Sequence, residues 1–197
     1  MISVQSLIHP DFSQLTVNEK EILHYLGVKK ADDSVLDLIE KSKEELYKIV
    51  SPKAAYACVD IVVSEDTVDF GFMRVESKNL SKNLESCHKA FVFCATLGIS
   101  VDRLYEKQKR VSQALATVMS ATASSLIESF CDYVNKSLVG EEKAKPRFSC
   151  GYGDFALEHQ KDILKVLEAD KRLGVCLTES CMMVPVKSVT AIIGIRS

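Results

Sequence analysis

Arg147-Phe148-Ser149-Cys150-Gly151-Tyr152-Gly153-Asp154 is the stretch on which the reading of this chain turns. An arginine, a hydroxyl, a thiol and two glycines crowd between Pro146 and a helical pattern, which is poor material for a core element and good material for a ligand loop. Gly151 and Gly153 lack a Cβ, so the backbone there can take positive φ or lie directly against a bound molecule. Arg147 offers a planar fork of five donors suited to a carboxylate or phosphate. Gly151-x-Gly153-x-x-Ala156 also satisfies the loose dinucleotide pattern, with Glu168 or Asp170 near the later acidic position. That pattern works inside a βαβ unit feeding a parallel sheet. Here Pro146 crowds the preceding strand and little chain follows the helix, so dinucleotide binding is set aside.

Downstream, Asp154 is expected to cap a helix with Leu157, Ile163, Leu164, Val166 and Leu167 as its core stripe. Lys171 and Arg172 fall in its last turn, where the helix dipole favours cations, and Gly174 is its expected terminator. Val175 to Thr178 reads as a strand, Glu179 to Pro185 as irregular, and Ser188 to Ile195 as a final strand. This strand-helix-strand arrangement is expected to bring Arg147 through Tyr152 close to Thr178, Glu179 and Ser180.

Upstream, Val101 to about Val139 carries no proline or glycine and is expected to be helical throughout. Between Arg110 and Asp132 the one charged residue is Glu128, set among small and apolar neighbours such as Ala121, Ala123, Leu126, Ile127 and Phe130. Such a helix is buried on most faces, and a carboxylate inside it is costly unless paired. Glu128 therefore either reaches the surface near the helix end or accepts hydrogen bonds from Ser124, Ser125 or a neighbouring element, or it faces a cleft and meets a ligand cation or hydroxyl. Ser124 and Asp132, one turn to either side, are its expected supporting residues.

The remainder supplies scaffold. Met1 to Pro10 allows a short strand; Ile22, Leu23 and Leu26 mark a helix closed by Gly27; a second follows Asp32-Asp33-Ser34 and stops before Pro52. Neither helix suggests chemistry, and His24 reads as structural. Ala54 to Val63 and Thr67 to Val75 are expected to pair as an antiparallel hairpin, followed by a short helix around Leu80 to Cys87. Ala90 to Ala95 is apolar throughout, the mark of a central strand covered on both faces. Ser100 is the expected cap of the next helix.

The whole chain of 197 residues is 47% hydrophobic, enough for a real core, and its net charge of −2 comes from 25 basic and 27 acidic residues without a basic block. Nucleic acid is an unsuitable partner for such a mixed surface. No run approaches the ~18 apolar residues of a membrane span and no signal peptide pattern opens the chain, so a cytoplasmic protein without membrane contact is expected. The seven cysteines form no C-x-x-C pair and suggest no metal site; most read as reduced, buried side chains. Cys150 differs by lying in the loop, without a nearby His or Asn to activate it.

The ordered series Arg147-x-x-x-Gly151-Tyr152-Gly153-Asp154, Lys171-Arg172-Leu173-Gly174, and Leu177-Thr178-Glu179-Ser180-x-Met182-Met183-x-Pro185-x-x-Ser188-Val189 resembles the activation domain of cobalamin-dependent methionine synthase, in its free-standing form. The helix bearing Glu128 matches more loosely. The resemblance implies an S-adenosylmethionine (SAM) site, with Glu128, Arg147, Phe148, Cys150, Gly151, Tyr152, Thr178, Glu179 and Ser180 as candidate cofactor-binding residues and no catalytic side chain. It implies an accessory role: the cobalamin is carried by a partner, either a methionine synthase lacking its own activation domain or another corrinoid protein. An electron from flavodoxin or another reductant, together with the SAM methyl group, would then regenerate methylcobalamin. Two rivals are a docking protein for a corrinoid protein that makes no use of SAM, and an independent thiol enzyme using Cys150. The fold expected is α+β, a mixed, largely antiparallel sheet packed with a long buried helix and shorter helices. Residues 1–52 form a helical segment of the same domain, and residues 53–197 the activation-domain-like core.

Overall fold

The computed structural model describes residues 4–10, 14–140 and 143–196. The protein is α+β. Its main sheet contains β1 (Val4–Ile8), β2 (Lys53–Asp60), β6 (Cys87–Thr96) and β9 (Ser188–Arg196) in the order β1-β2-β6-β9, every neighbouring pair antiparallel. Between β2 and β6 lie β3 (Val62–Val63), β4 (Thr67–Asp69), β5 (Arg74–Glu76) and the helix α3 (Lys78–Asn83). The antiparallel pairing removes the parallel sheet that dinucleotide binding needs.

β6 shows why the apolar run Ala90 to Ala95 must be central. Phe93 sits opposite Tyr56 of β2 and Ala191 of β9. The side-chain period of two then divides the residues between two cores. Ala90, Val92, Cys94 and Ile192 enter the core shared with β4, β5 and α3. Phe93, Ala95, Ala191 and Ile193 enter the core beneath the long helix α5 (Gln113–Val139), meeting Met119, Leu126, Phe130 and Val134.

The helix α5 is therefore sandwiched. The sheet covers one side, while α1 (Glu19–Leu26), α2 (Asp33–Tyr47) and α4 (Ser100–Lys109) pack on others. Length and hydropathy alone would let α5 cross a bilayer, but 67% of its most apolar window is buried inside the fold. Asn18 and Asp32 cap α1 and α2 through their side-chain oxygens, and Gly27 closes α1 at a left-handed φ of 70°.

Five local expectations are corrected. The expected hairpin shrinks to β3 and β4, because residues 53–60 pair along their whole length with β6 in the main sheet, and the expected strand Thr67 to Val75 folds back on itself as β4 paired with β5. The helix expected over 101–139 breaks at Arg110–Ser112, where the Ser112 side chain accepts from Leu115 N and starts α5 afresh; Ser100 caps nothing, being the first helical residue of α4. The helix after the loop divides into a short 3-10 turn, α6 (Gln160–Val166) and α7 (Ala169–Leu173), interrupted by Glu168 at φ 49°. The segment expected to be irregular contains a short strand, β8 (Met183–Val184), which pairs with β7 (Cys176–Leu177).

Candidate functional site

The loop containing Arg147 is held as an added strand on the outer edge of β9. Phe148 and Ile192 exchange backbone hydrogen bonds, each 2.9 Å, and Lys145 N donates to Gly194 O at 2.9 Å. An extended segment alternates its side chains. Arg147 and Ser149 consequently face a cavity beside α5, while Phe148 and Cys150 pack against the opposite core.

Arg147 Nη2 lies 3.1 Å from Glu128 Oε2 and 3.0 Å from Asp132 Oδ1. The spacing of four along α5 puts both carboxylates on one face, where a single guanidinium can bridge them. Glu128 is thus paired with an arginine of a neighbouring element, half-buried and turned to a cleft, an arrangement compatible with both of its sequence readings. Ser124 does not support Glu128: it accepts instead from Lys187 Nζ at 2.8 Å. Among the described residues Arg147 Nη1 makes no hydrogen bond although buried, so the guanidinium retains donor capacity that its two carboxylates leave unused.

The opposite wall comes from α1, a helix whose sequence suggests packing alone. Glu21, His24 and Tyr25 join Glu128, Arg147, Ser149, Tyr152 and Val189 around a cavity of about 360 Å³. His24 is exposed at this cavity, contrary to the expectation of a structural histidine. Serines of α5 hold α1 in place: Asn18 N donates to Ser125 Oγ at 2.8 Å, Ser125 Oγ donates to Glu21 Oε2 at 2.9 Å, and Thr16 N donates to Ser129 Oγ at 3.1 Å. The Ser125/Ser129 spacing on an apolar helix was the available signal for this latch. The Tyr25 phenol is pushed up from its ordinary pKa by burial and then by the Glu128 and Glu21 carboxylates. The cavity is therefore predominantly anionic, with one arginine as its cation.

Tyr152 is exposed and stands between this cavity and a second groove that reaches Asn79 and Asn83. Gly151 takes φ 87° and donates its N–H to Phe155 O at 2.7 Å, so this donor serves the turn itself. Gly153, at φ 56°, marks a close approach to protein: a Cβ there would sit 2.2 Å from Asn79 Nδ2. Asp154 completes that contact. It accepts from Ser77 Oγ and from the backbone N–H groups of Lys78 (2.8 Å) and Asn79 (3.2 Å), capping α3 and not a helix of its own. The Ser77 hydrogen bond leads the causes that hold this exposed carboxyl below its usual pKa. Gly153→Ala is expected to cost about 1–3 kcal/mol, a cost that Asn79→Ala partly relieves, measurable by chemical denaturation.

Cys150 is no activated nucleophile. Burial pushes its thiol up to about 12, so it stays protonated at neutral pH. Iodoacetamide at mildly alkaline pH is expected to label exposed Cys176 and spare Cys150 in the folded protein; equal labelling, read by peptide mass, contradicts this environment. Thr178, Glu179 and Ser180 form an exposed turn between β7 and β8, in which Thr178 Oγ1 accepts from Met182 N at 3.1 Å and lies 3.0 Å from Ser180 Oγ. They do not line the cavity with Arg147.

Residues 80–196 match the family described as the vitamin B12 dependent methionine synthase, activation domain. The chain belongs to this family. The crystal structure of the MetH reactivation domain bound to AdoHcy shares the fold of this activation domain, with a TM-score of 0.72 at 14% identity, covering 98% of this chain and 78% of that one. No curated protein matches the sequence. Glu128, Arg147 and Tyr152 fall inside the part of the activation domain matched by the family, whereas Glu21, His24 and Tyr25 precede it. The cavity is thus completed by a helix outside the family's matched segment.

Proposed function

We propose that this activation domain binds SAM in the cavity between α1, α5 and the Arg147 loop, and presents it to cobalamin carried by a partner. The observation that carries the reading is the convergence, inside a family of methionine synthase activation domains, of Arg147 with Glu21, Glu128 and two tyrosine rings in about 360 Å³. The chemistry of the donor set fits the ligand. The unused donor of Arg147 suits the α-carboxylate, Glu21 and Glu128 suit the ammonium and sulfonium, and Tyr25 and Tyr152 offer faces to apolar atoms. The related reactivation domain is bound to AdoHcy, which is SAM without its methyl group.

When bound, SAM would supply an electrophilic methyl group to the partner's cobalamin once one electron from flavodoxin or another reductant had reduced the oxidised cobalt, leaving S-adenosylhomocysteine on this chain. The partner is a methionine synthase lacking its own activation domain, or a related corrinoid protein. This chain holds the donor and excludes water from one side of it. Reconstitution tests the role: oxidised corrinoid partner, reductant and SAM should regain the methylcobalamin absorbance when this chain is added, and an unchanged spectrum counts against it.

Asp132 competes with the ligand carboxylate for Arg147. Its side chain is 66% exposed, so its ion pair is cheap to break. Asp132→Asn is expected to tighten SAM binding by about twofold to fivefold, while Glu128→Gln weakens it, both read by calorimetry.

A further inference from the structure

A second cavity, of about 250 Å³, opens between α4, the first half of α5 and the segment after Pro185. It shares no lining residue with the cavity at Arg147. Val101, Met119 and Ala123 form an apolar floor, with Val186 over them. At its edge stands Lys187, whose Nζ donates to Ser124 Oγ at 2.8 Å and Ser120 Oγ at 3.2 Å. Two hydroxyls are a meagre setting for a partly buried ammonium, and no ion pair among the described residues includes it. Burial lowers its pKa, and Asp102 opposes that shift only from beyond contact distance.

Asp102 is fixed in the same cavity, its Oδ2 accepting from Val186 N at 2.9 Å, and Glu106 lies one turn further along α4. The arrangement is one cation and two anions around an apolar floor. A simple carboxylate would satisfy Lys187 and be repelled by Asp102 and Glu106. A simple amine would satisfy the acids and leave Lys187 as it is. A molecule carrying an ammonium and a carboxylate on one carbon, with an apolar tail, satisfies all three.

We propose that this cavity binds an apolar α-amino acid, with its carboxylate on Lys187, its ammonium on Asp102 and Glu106, and its side chain against Val101, Met119 and Ala123. The site is independent of the SAM reading, although it lies one helical turn along α5 from Glu128.

Methyl-resolved NMR titration of the full chain separates the possibilities, using three probes of one shape: L-leucine, 4-methylpentanoate without the amine, and isoamylamine without the carboxylate. Leucine is expected to shift the methyl signals of Val101, Met119 and Ala123, with each partial probe at least about tenfold weaker. Lys187→Met and Asp102→Asn should each weaken leucine about tenfold, while Arg147→Ala leaves it unchanged. If Lys187→Met does not fold, Asp102→Asn carries the comparison alone. Absence of shifts at about 20 mM leucine, equal binding of 4-methylpentanoate, or loss of leucine in Arg147→Ala overturns the assignment.

Discussion

Arg147→Ala is expected to weaken SAM binding by about one hundredfold while leaving the protein folded. The magnitude follows from what is lost: a guanidinium that meets the ligand carboxylate through charge-assisted hydrogen bonds, in a cavity whose remaining charged walls are acidic. Without Arg147, Glu128 and Asp132 would be left without their shared cation, and they would repel an incoming carboxylate. Folding should survive because Glu128 and Asp132 have side chains 38% and 66% exposed, so water can take over from the arginine. Arg147→Lys should recover only part of the affinity, since an ammonium cannot serve two carboxylates and a ligand in one plane. Calorimetry on the three proteins measures this order, and retention of wild-type affinity in Arg147→Ala contradicts the placement of the ligand.

Phe130→Ala carries the largest expected loss of stability. Its ring is fully buried under the sheet, in the cluster containing Phe93, Leu126 and Ile193, and it stacks on Tyr133 at 6.4 Å between centroids. Truncation removes the buried area and leaves a cavity between two rigid layers, costing about 3–5 kcal/mol. For a chain of this size the midpoint of thermal unfolding should fall on the order of 10 °C. Because Glu128 and Asp132 flank Phe130 on the same helix, ligand binding should weaken as well. A cost below about 1 kcal/mol would mean that α5 does not form the centre of the fold.

The parts of this account that were legible in the sequence are those with a strong local signature. The Ala90 to Ala95 run could only be covered on both faces, and Glu128 stood out because the helix around it carries almost no other charge. Arg147 and Glu128 were singled out separately, and the fold brings them into one ion pair. Long-range detail was hidden for physical reasons. The distance in sequence from Glu21 to Ser125 gave no hint that α1 closes the cavity. Gly153 suggested a ligand, yet what approaches it is Asn79, because a missing Cβ admits protein as readily as a small molecule. Phe148 and Cys150 shared the loop with Arg147, and only the strand-like pairing with Ile192 turns them inward. The break before α5 passed unseen because a serine cap can start a new helix without glycine or proline.

The cavity between α1, α5 and the Arg147 loop is a SAM site in this account, and titration calorimetry of the purified chain with SAM tests that most directly. The account predicts saturable binding of one SAM per chain, with a dissociation constant below about 1 mM, lost in Arg147→Ala. A folded protein that gives no binding heat at several temperatures with about 1 mM SAM contradicts it.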